Sequence, residues 1–506
     1  MTIKKALYLF TLILISTPGF AQNNNGFEHG FAGWATKGKV AIDKVNPHKG
    51  NSCAQLGNEY GEVVKRINGS PLSIVSFDAY VRTSDSTIRG YSFIRFLDVN
   101  HKQLLAYKSK AVRSQNYEQT GNYTETPPGT RYIEVGVDRD SSGKGFVYAD
   151  DFTLETNIGE PKVKHQPLVD VDQYMRPFWK SDTVYNETVL LFSENGQSAK
   201  GKLLYMPDKI LNVKKFDLKT SYKRDIDYTV NGNVITRTEN SGMSFRADTS
   251  FDTKKDLAWY NLQSQCMVVT YTHHDRWSGP VPQYKGDRVP MIMAKLKARK
   301  PVNIVAYGMS ITRGMDVSSY DNVAPYMPTY VNLLTDKLKK AYHYNDIKLF
   351  NVGLPGSVVD WGAQYADEYV NPIKPDLVII DFGMNDFWRY TPEQFKGYIQ
   401  TIINKVKTGN PKVEFILLSN MKFDPDYILD SDKNKAWYLA NMEGYSHVLK
   451  AMEGNGVINL NMADLSDFIY HRKKAKDCIV NPLHPNDYMA RWYAQGLAQL
   501  LIRDYK

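Results

Sequence analysis

The chain has 506 residues and a net charge of +9. Hydrophobic residues make up 42% and charged residues 23%, a balance that is typical of globular proteins and excludes a disordered or fibrous chain. The positive charge is dispersed and forms no basic block, so we expect no nucleic-acid partner. At roughly 150 residues per domain, the length predicts about three domains.

Residues 1–21 have the pattern of a secretory signal peptide. Two lysines precede an apolar run of about ten residues, Ala6 to Ile15, and small residues end at Ala21. That run is too short to span a bilayer, and no other apolar stretch reaches about 18 residues. We therefore predict export to a periplasm or the medium, with no membrane insertion after the signal is removed.

Residues 22–157 read as an all-β domain, because alternating apolar and polar residues are separated by Gly, Asn, Ser and Pro turns. The opening around Gly26-Phe27-Glu28 and the closing segment 147–154 resemble the jelly-roll carbohydrate-binding modules of secreted glycan-active enzymes. That resemblance implies a glycan-binding role. Trp34, Tyr60 and Tyr91 are candidates for stacking on sugars, although a role as a core or surface aromatic is favoured for each by itself.

Residues 158–300 predict a second β-sandwich. Asn231-Gly232 between two strand-like runs is a strong signal for a hairpin. His273 and His274 are adjacent, and neighbours on a strand point to opposite faces. We therefore expect no metal site there, and instead expect this segment to pack against the domain that follows.

The three cysteines, Cys53, Cys266 and Cys478, are far apart in the chain and odd in number. Their spacing fits neither a disulfide framework nor a zinc site. We expect buried free thiols, with room for at most one pair.

Strands and helices alternate from residue 301 to residue 506. We predict strands over 302–307, 347–352, 376–380, 413–418 and 457–460, and helices over 328–342, 392–407, 433–453 and 486–503. Strict alternation predicts a parallel, flavodoxin-like sheet that helices cover on both faces. Ligands of such sheets bind beyond the carboxyl ends of the strands.

Four polar segments follow predicted strands or precede the last helix. Ser310 lies at a strand-to-helix turn, Gly356 in a glycine-rich turn, Asn385 after the third strand and His484 before the final helix. Each alone fits a helix cap or a tight turn. Together they supply a nucleophile, a base and two groups able to donate hydrogen bonds to an oxyanion.

In this order and context, the four segments resemble those of the SGNH (GDSL-like) hydrolase superfamily, over about residues 301–506. The resemblance implies that Ser310 is the nucleophile and His484 the general base. Backbone N–H groups of Ser310 and Gly356, with the Asn385 amide, would form the oxyanion hole. It implies an acyl-serine intermediate and no metal or cofactor.

Two positions depart from the family pattern. Met309 stands where the family usually has Asp, and Asn481 stands where the acid of the triad is expected, three residues before His484. An Asn carbonyl can orient the imidazole but cannot offset its positive charge. Three possibilities stay open: a substitute carboxylate such as Asp477 or Asp487, a Ser–His dyad, or an impaired site.

The sequence therefore predicts three domains, over residues 22–157, 158–300 and 301–506: two β-sandwiches followed by an SGNH hydrolase. The expected activity is removal of acyl groups, chiefly O-acetyl, from a polysaccharide or oligosaccharide. This substrate rests on analogy with glycan-active enzymes. A lipid or aryl esterase, and a glycan-binding protein with an impaired esterase domain, are the alternatives.

Overall fold

The computed structural model describes residues 24–69, 73–109, 111–127, 129–140, 144–156, 165–247, 262–428 and 430–506. The predicted signal peptide lies outside the described residues. The chain forms two compact units, Met1–Lys162 and Val163–Lys506. In the described ranges, no helix is long and apolar enough to cross a bilayer. The three-domain boundaries at 157/158 and 300/301 stay predictions.

The first unit is built from eight antiparallel strands. They are β1 (Ala35–Asp43), β2 (Cys53–Asn68), β3 (Ile74–Thr83), β4 (Gly90–Leu97), β5 (Gln103–Lys108), β6 (Glu118–Glu125), β7 (Tyr132–Arg139) and β8 (Val147–Thr156). Along the sheet the order is β5-β4-β7-β2-β8-β3-β6, with β1 paired to β2. The long β2 pairs with β8 through residues 54–56 and with β7 through residues 61–68, so it links strands β5-β4-β7 to strands β8-β3-β6.

The core of this unit follows from period-2 alternation. On β3, Val75, Phe77, Ala79 and Val81 are fully buried, and the residues between them are partly exposed. Trp34 is a core residue too: its indole N–H donates to the Asn24 carbonyl, and its ring packs 4.5 Å from that of Phe152. Trp34 is therefore not available to stack on a sugar.

The two other aromatic candidates of this unit remain at the surface. Tyr60 is 45% exposed, and its hydroxyl donates to Glu62. Tyr91 is partly exposed, with the Lys108 ammonium 5.3 Å from its ring centroid. Tyr60 and Tyr91 therefore stay candidates for contact with a glycan.

The second unit begins with antiparallel structure. Its elements are α1 (Val171–Tyr174), β9 (Thr183–Val189), β10 (Phe192–Ser193), β11 (Lys200–Lys202), β12 (Pro207–Lys215), β13 (Ser221–Tyr222), β14 (Tyr228–Asn231), β15 (Val234–Arg237), β16 (Arg246–Ala247) and β17 (Met267–His273). They form two sheets, β14-β15-β11-β10-β16 and β13-β12-β17-β9. The predicted hairpin is confirmed, because β14 and β15 pair across Asn231-Gly232, where Gly232 has a φ of 58°.

The rest of the unit is a parallel sheet with helices. Its elements are α2 (Pro290–Lys297), β18 (Val302–Gly308), α3 (Ser310–Arg313), α4 (Tyr330–Tyr342), β19 (Ile347–Asn351), α5 (Val359–Tyr369), β20 (Leu377–Asp381), α6 (Pro392–Gly409), β21 (Glu414–Ser419), α7 (Lys435–Ala451), β22 (Val457–Asn461), α8 (Met462–Tyr470), β23 (Ile479–Asn481), β24 (His484–Pro485) and α9 (Asp487–Leu501).

The strand order β19-β18-β20-β21-β22 confirms the predicted flavodoxin-like sheet. All five predicted strands are present within about two residues of their predicted bounds. Because β18 lies between β19 and β20, the turns that follow these three strands meet at one edge of the sheet. That edge carries Ser310, Gly356 and Asn385.

Helix α9 is buried on every face. One face covers the parallel sheet, where the Tyr493 hydroxyl accepts from the N–H of Met421, two residues after β21. The opposite face meets the antiparallel part of the unit: Arg491 donates to the carbonyl of Asn186, and the Trp492 ring stacks 4.4 Å from that of Phe178. The antiparallel strands and the parallel sheet therefore share one core.

Candidate active site

Three side chains form a continuous hydrogen-bonded chain at the carboxyl edge of the parallel sheet. The Oγ of Ser310 lies 2.7 Å from Nε2 of His484, and Nδ1 of the same ring lies 2.5 Å from Oδ2 of Asp316. With Nδ1 protonated, the imidazole donates to the carboxylate and leaves Nε2 free to accept the serine proton. This is the arrangement of an activated serine nucleophile.

Ser310 is the first residue of α3, where backbone N–H groups have no acceptor within the helix. The turn before Ser310 is held by the Thr312 hydroxyl, which accepts from the N–H of Met309 and donates to Asp381 at 2.8 Å. Asp381 ends β20 and also accepts from Tyr330. Burial raises the pKa of Asp381 to about 6. With Met309 in place of an acid, a carboxylate from the neighbouring strand orders this turn.

Asp316 is the functional residue that the sequence analysis missed. It follows α3 in a tight loop, in which Gly314 and Asp316 have φ values of 80° and 70°. Its backbone carbonyl accepts from Nε2 of Gln263, which lies just before β17. Two residues later, Ser318 is bound through its N–H and hydroxyl by Asp487. The only sequence signal was an unassigned acid close behind the nucleophile.

Asn481 lies next to the hydrogen-bonded chain of Ser310, His484 and Asp316, but it is not the acid of that chain. Its amide nitrogen donates to Oδ2 of Asp316 at 2.8 Å, and its carbonyl oxygen accepts from the backbone N–H groups of Leu483 and His484. Asn481 therefore orients the Asp316 carboxylate and stabilises the turn that carries His484. It is the amide nitrogen of Asn481, not its carbonyl oxygen, that lies 3.0 Å from Nδ1 of His484.

Asp477 and Asp487, the two candidate substitutes for the acid, bind other groups. Asp477 accepts from the N–H of Leu190 and lies 3.8 Å from the Lys473 ammonium. Asp487 binds Ser318 at the start of α9. The structure therefore corrects this expectation, because within the described ranges the carboxylate bonded to the His484 ring is that of Asp316.

Gly356 and Asn385 lie in adjoining turns. Gly356 has a φ of 78°, and a side chain there would meet nothing within 4 Å, so this backbone faces open space. One amide hydrogen of Asn385 is engaged by the carbonyl of Ser357 at 2.9 Å. Asp386 joins the two turns by accepting from the N–H groups of Gly383 and Val359. Burial raises the pKa of Asp386 to about 7.

Other candidate residues lie away from this edge. Cys53, Cys266 and Cys478 are buried and free, as predicted. His273 is buried and stacks on Tyr205 at 3.9 Å. In the part of the chain that the structure describes, no group of three or more His, Cys, Asp and Glu side chains is placed to hold a metal ion.

Residues 306–492 match the model of the GDSL-like Lipase/Acylhydrolase family. The match contains every residue of the hydrogen-bonded chain. The C-terminal region is a GDSL-like (SGNH) hydrolase domain. In this domain Ser310 and His484, which match the family's pattern, are hydrogen-bonded to each other, and the carboxylate on the histidine ring is that of Asp316.

Several solved structures are similar to parts of the chain. A two-domain esterase (CEX) active on acetylated mannans is 21% identical over 45% of this chain, with a TM-score of 0.35. The chain spans only 55% of that protein. A variant of Axe2, an acetyl-xylooligosaccharide esterase from Geobacillus, is 18% identical over 39% of this chain and 94% of its own, with a TM-score of 0.31.

A third similar structure is a binding module. The CBM22-1 xylan-binding domain of Paenibacillus barcinonensis Xyn10C is 15% identical over 27% of this chain and 93% of its own, with a TM-score of 0.23. No curated protein matches the chain in sequence.

Proposed function

We propose that this protein is an exported serine esterase that removes acyl groups, chiefly O-acetyl, from a polysaccharide or oligosaccharide. The observation that carries the proposal is the hydrogen-bonded chain from Ser310 through His484 to Asp316. A nucleophile, a base and a charge partner are in contact, so acylation of the serine needs no rearrangement of these groups.

The proposed reaction uses these groups in turn. His484 takes the Ser310 proton at Nε2 as Oγ attacks the ester carbonyl carbon, and the imidazolium that forms is stabilised by Asp316. The oxyanion accepts from the N–H groups of Ser310 and Gly356 and from the second amide hydrogen of Asn385. The intermediate collapses to an acyl-serine, and His484 protonates the departing sugar oxygen. Water then attacks the acyl-serine by the same route.

Exposed aromatic side chains on the segment after Asn385 and at the start of α7 favour a sugar ester. Trp388, three residues after Asn385, is 36% exposed and is backed by the Phe387 ring at 4.6 Å. Trp437 on the first turn of α7 is 42% exposed. Exposed indole rings are suited to packing against the C–H faces of pyranose rings. The predicted export signal and the sandwich of the first unit favour the same class of substrate.

The test is release of acetate from a panel of acetylated polysaccharides, with Ser310→Ala as the matched background. We expect the wild-type protein to release acetate and Ser310→Ala to lose at least about 10³-fold in turnover. Esters of 4-nitrophenol with short and long acyl chains serve as the comparison. A preference for long chains would assign the domain to lipid esters and contradict the proposal.

The first unit is proposed to bind the glycan. Deleting residues 22–157 should leave turnover of 4-nitrophenyl acetate unchanged, because the hydrogen-bonded chain lies wholly in the second unit. Affinity for the polysaccharide should fall. Unchanged affinity would exclude a binding role for this unit and leave the esterase assignment intact.

A further inference from the structure

The Val163–Lys506 unit has a cavity that lies away from Ser310. It has a volume of about 460 Å³ and opens between strands β10, β11 and β15 and the segment that follows α8. None of Ser310, His484 and Asp316 lines it. Its floor is apolar and includes Leu190, Phe192 and Val234. It is large enough for a sugar unit and independent of the catalytic residues.

Basic side chains surround this cavity. Lys200 and Lys202 point to the same face of β11, since they are two residues apart on a strand. The cations on the opposite wall follow α8 and are Arg472 and Lys474. Lys474 forms an ion pair with Glu194, with its ammonium nitrogen 3.1 Å from the carboxylate. Over the described ranges, no carboxylate lies within ion-pair distance of Lys200 or Lys202.

The one acid beneath the cavity does not offset this charge. Asp477 lies 3.8 Å from Lys473, which is fully buried and also bonded to Glu187. These three residues form a closed buried cluster beneath the cavity. Arg472 has no acidic partner among the contacts of its guanidinium, which donates to the Phe468 carbonyl and to Ser278. The cavity wall therefore carries a net positive charge that it does not neutralise internally.

We propose that this cavity binds an acidic group of a glycan, a carboxylate or sulfate on a sugar ring. The anionic group would face Lys200, Lys202 and Arg472, and the ring would pack on Phe192 and Val234. A concave wall of one charge sign concentrates its field and attracts the opposite charge. The inference rests on the proposed action on glycans and adds that the natural polymer carries acidic sugars.

The test is the affinity of the full-length protein, by titration calorimetry at low salt, for three soluble polymers. Polygalacturonate carries carboxylates, dextran sulfate carries sulfates, and neutral β-glucan carries neither, so the first two arms identify the anion. The double variant Lys200→Glu/Lys202→Glu reverses the charge of the cavity wall. Lys209→Glu/Lys219→Glu is the matched control, since both lysines are exposed and lie outside the cavity.

We expect at least one acidic polymer to bind more tightly than β-glucan, and the cavity variant to lose about tenfold or more in affinity. The control should stay within about threefold of the wild type. Hydrolysis of 4-nitrophenyl acetate should be unchanged in both variants.

Equal losses of affinity in both variants, or equally tight binding of single-stranded DNA, would overturn the proposal. If the wild type cleaves esters but binds no acidic polymer, the cavity proposal alone fails. If it binds but cleaves no ester, the proposed function fails.

Discussion

His484 is held by two side chains of different chemistry. Asp316 supplies negative charge at Nδ1, and Asn481 supplies an amide that donates to the Asp316 carboxylate. Asn481, three residues before the histidine, therefore orients the site, and the negative charge beside the imidazole comes from Asp316 in the loop that follows the nucleophile. An aspartate at position 481 would place two carboxylates in contact, which an Asn avoids.

The variant Asn481→Asp tests this division of roles. It would put a second carboxylate about 3 Å from Asp316 and from the imidazole, so protonated forms of the site would be favoured. We expect the acid limb of the kcat/KM–pH profile to move upward by about one unit, because that limb reports protonation of the general base. Steady-state kinetics across the pH range is the measurement.

Asn481→Ala is the control for that variant, because it removes the amide donor and adds no charge. Its acid limb should stay near that of the wild type while kcat falls. An unshifted profile in Asn481→Asp would show that position 481 does not act on the charge of the site.

Three buried aspartates hold the elements that carry the site. Asp381 fixes the turn before α3, Asp386 joins the turns of Gly356 and Asn385, and Asp487 at the start of α9 holds the loop of Asp316. Each accepts hydrogen bonds from an element other than its own. Each is removed from water, so the pKa of each carboxyl is raised.

Asp487 makes stability depend on pH in a definite direction. Burial raises its pKa from 3.8 to about 7, so folding favours the protonated carboxyl. Its contribution to stability is therefore complete below about pH 3.8 and is lost as the pH rises towards 7. Relative to Asp487→Asn, the wild-type free energy of unfolding should fall by at most about 1.4 kcal/mol per pH unit over that window.

Urea unfolding of both proteins at several values between about pH 5 and pH 8 measures this difference. All other titrating groups are common to the two proteins and cancel. Parallel curves would show that Asp487 is ionised in the folded protein as readily as in the unfolded chain.

The antiparallel part of the second unit reaches the site through Gln263. Its amide nitrogen donates to the Asp316 carbonyl, and its oxygen accepts from the N–H of Asp487. We expect Gln263→Leu to lower kcat about tenfold with KM nearly unchanged, because a positioning bond is lost and no substrate contact is removed.

Gln265→Leu, two residues along the same turn, is the matched control, since that side chain accepts from Arg246 instead. Near-UV circular dichroism confirms that each variant is folded. A change in KM alone, or equal effects of the two substitutions, would contradict a positioning role for Gln263.

At the scale of the molecule, the second unit is one compact body whose antiparallel and parallel parts share a core. Helix α9 is buried between the parallel sheet and the antiparallel strands, and the buried cluster of Lys473, Glu187 and Asp477 joins β9 to the segment before His484. Removing the Glu187 carboxylate would leave the buried Lys473 ammonium without its nearest charge partner, and breaking such a buried pair typically costs about 3–5 kcal/mol.

Much of this architecture was predictable, because it follows from local patterns. Alternation along β3, the Asn231-Gly232 turn and the apolar runs of the parallel strands each specify an element from its own residues. The helix predicted over 486–503 is present as α9, but its burial on every face was not predictable, since one face is covered by strands about 300 residues away, such as β9. Burial by a distant element leaves no periodic signal in the helix itself.

The candidate site divides in the same way. Ser310, Gly356, Asn385 and His484 follow strands or precede a helix, so topology alone brings their turns to one edge. Asp316 and Gln263 act through side-chain and loop geometry that spacing does not encode. The positive φ at Asp316 and its contact with a residue from the antiparallel part are set by tertiary packing.

The most direct test of the account is the turnover of Asp316→Asn on a small ester, with Ser310→Ala as the background. An Asn at this position keeps the size of the side chain and removes the charge that stabilises the imidazolium. We expect kcat to fall about 10⁴-fold with KM close to that of the wild type. Turnover within about tenfold of the wild type would contradict the assignment of Asp316 as the acid of the site.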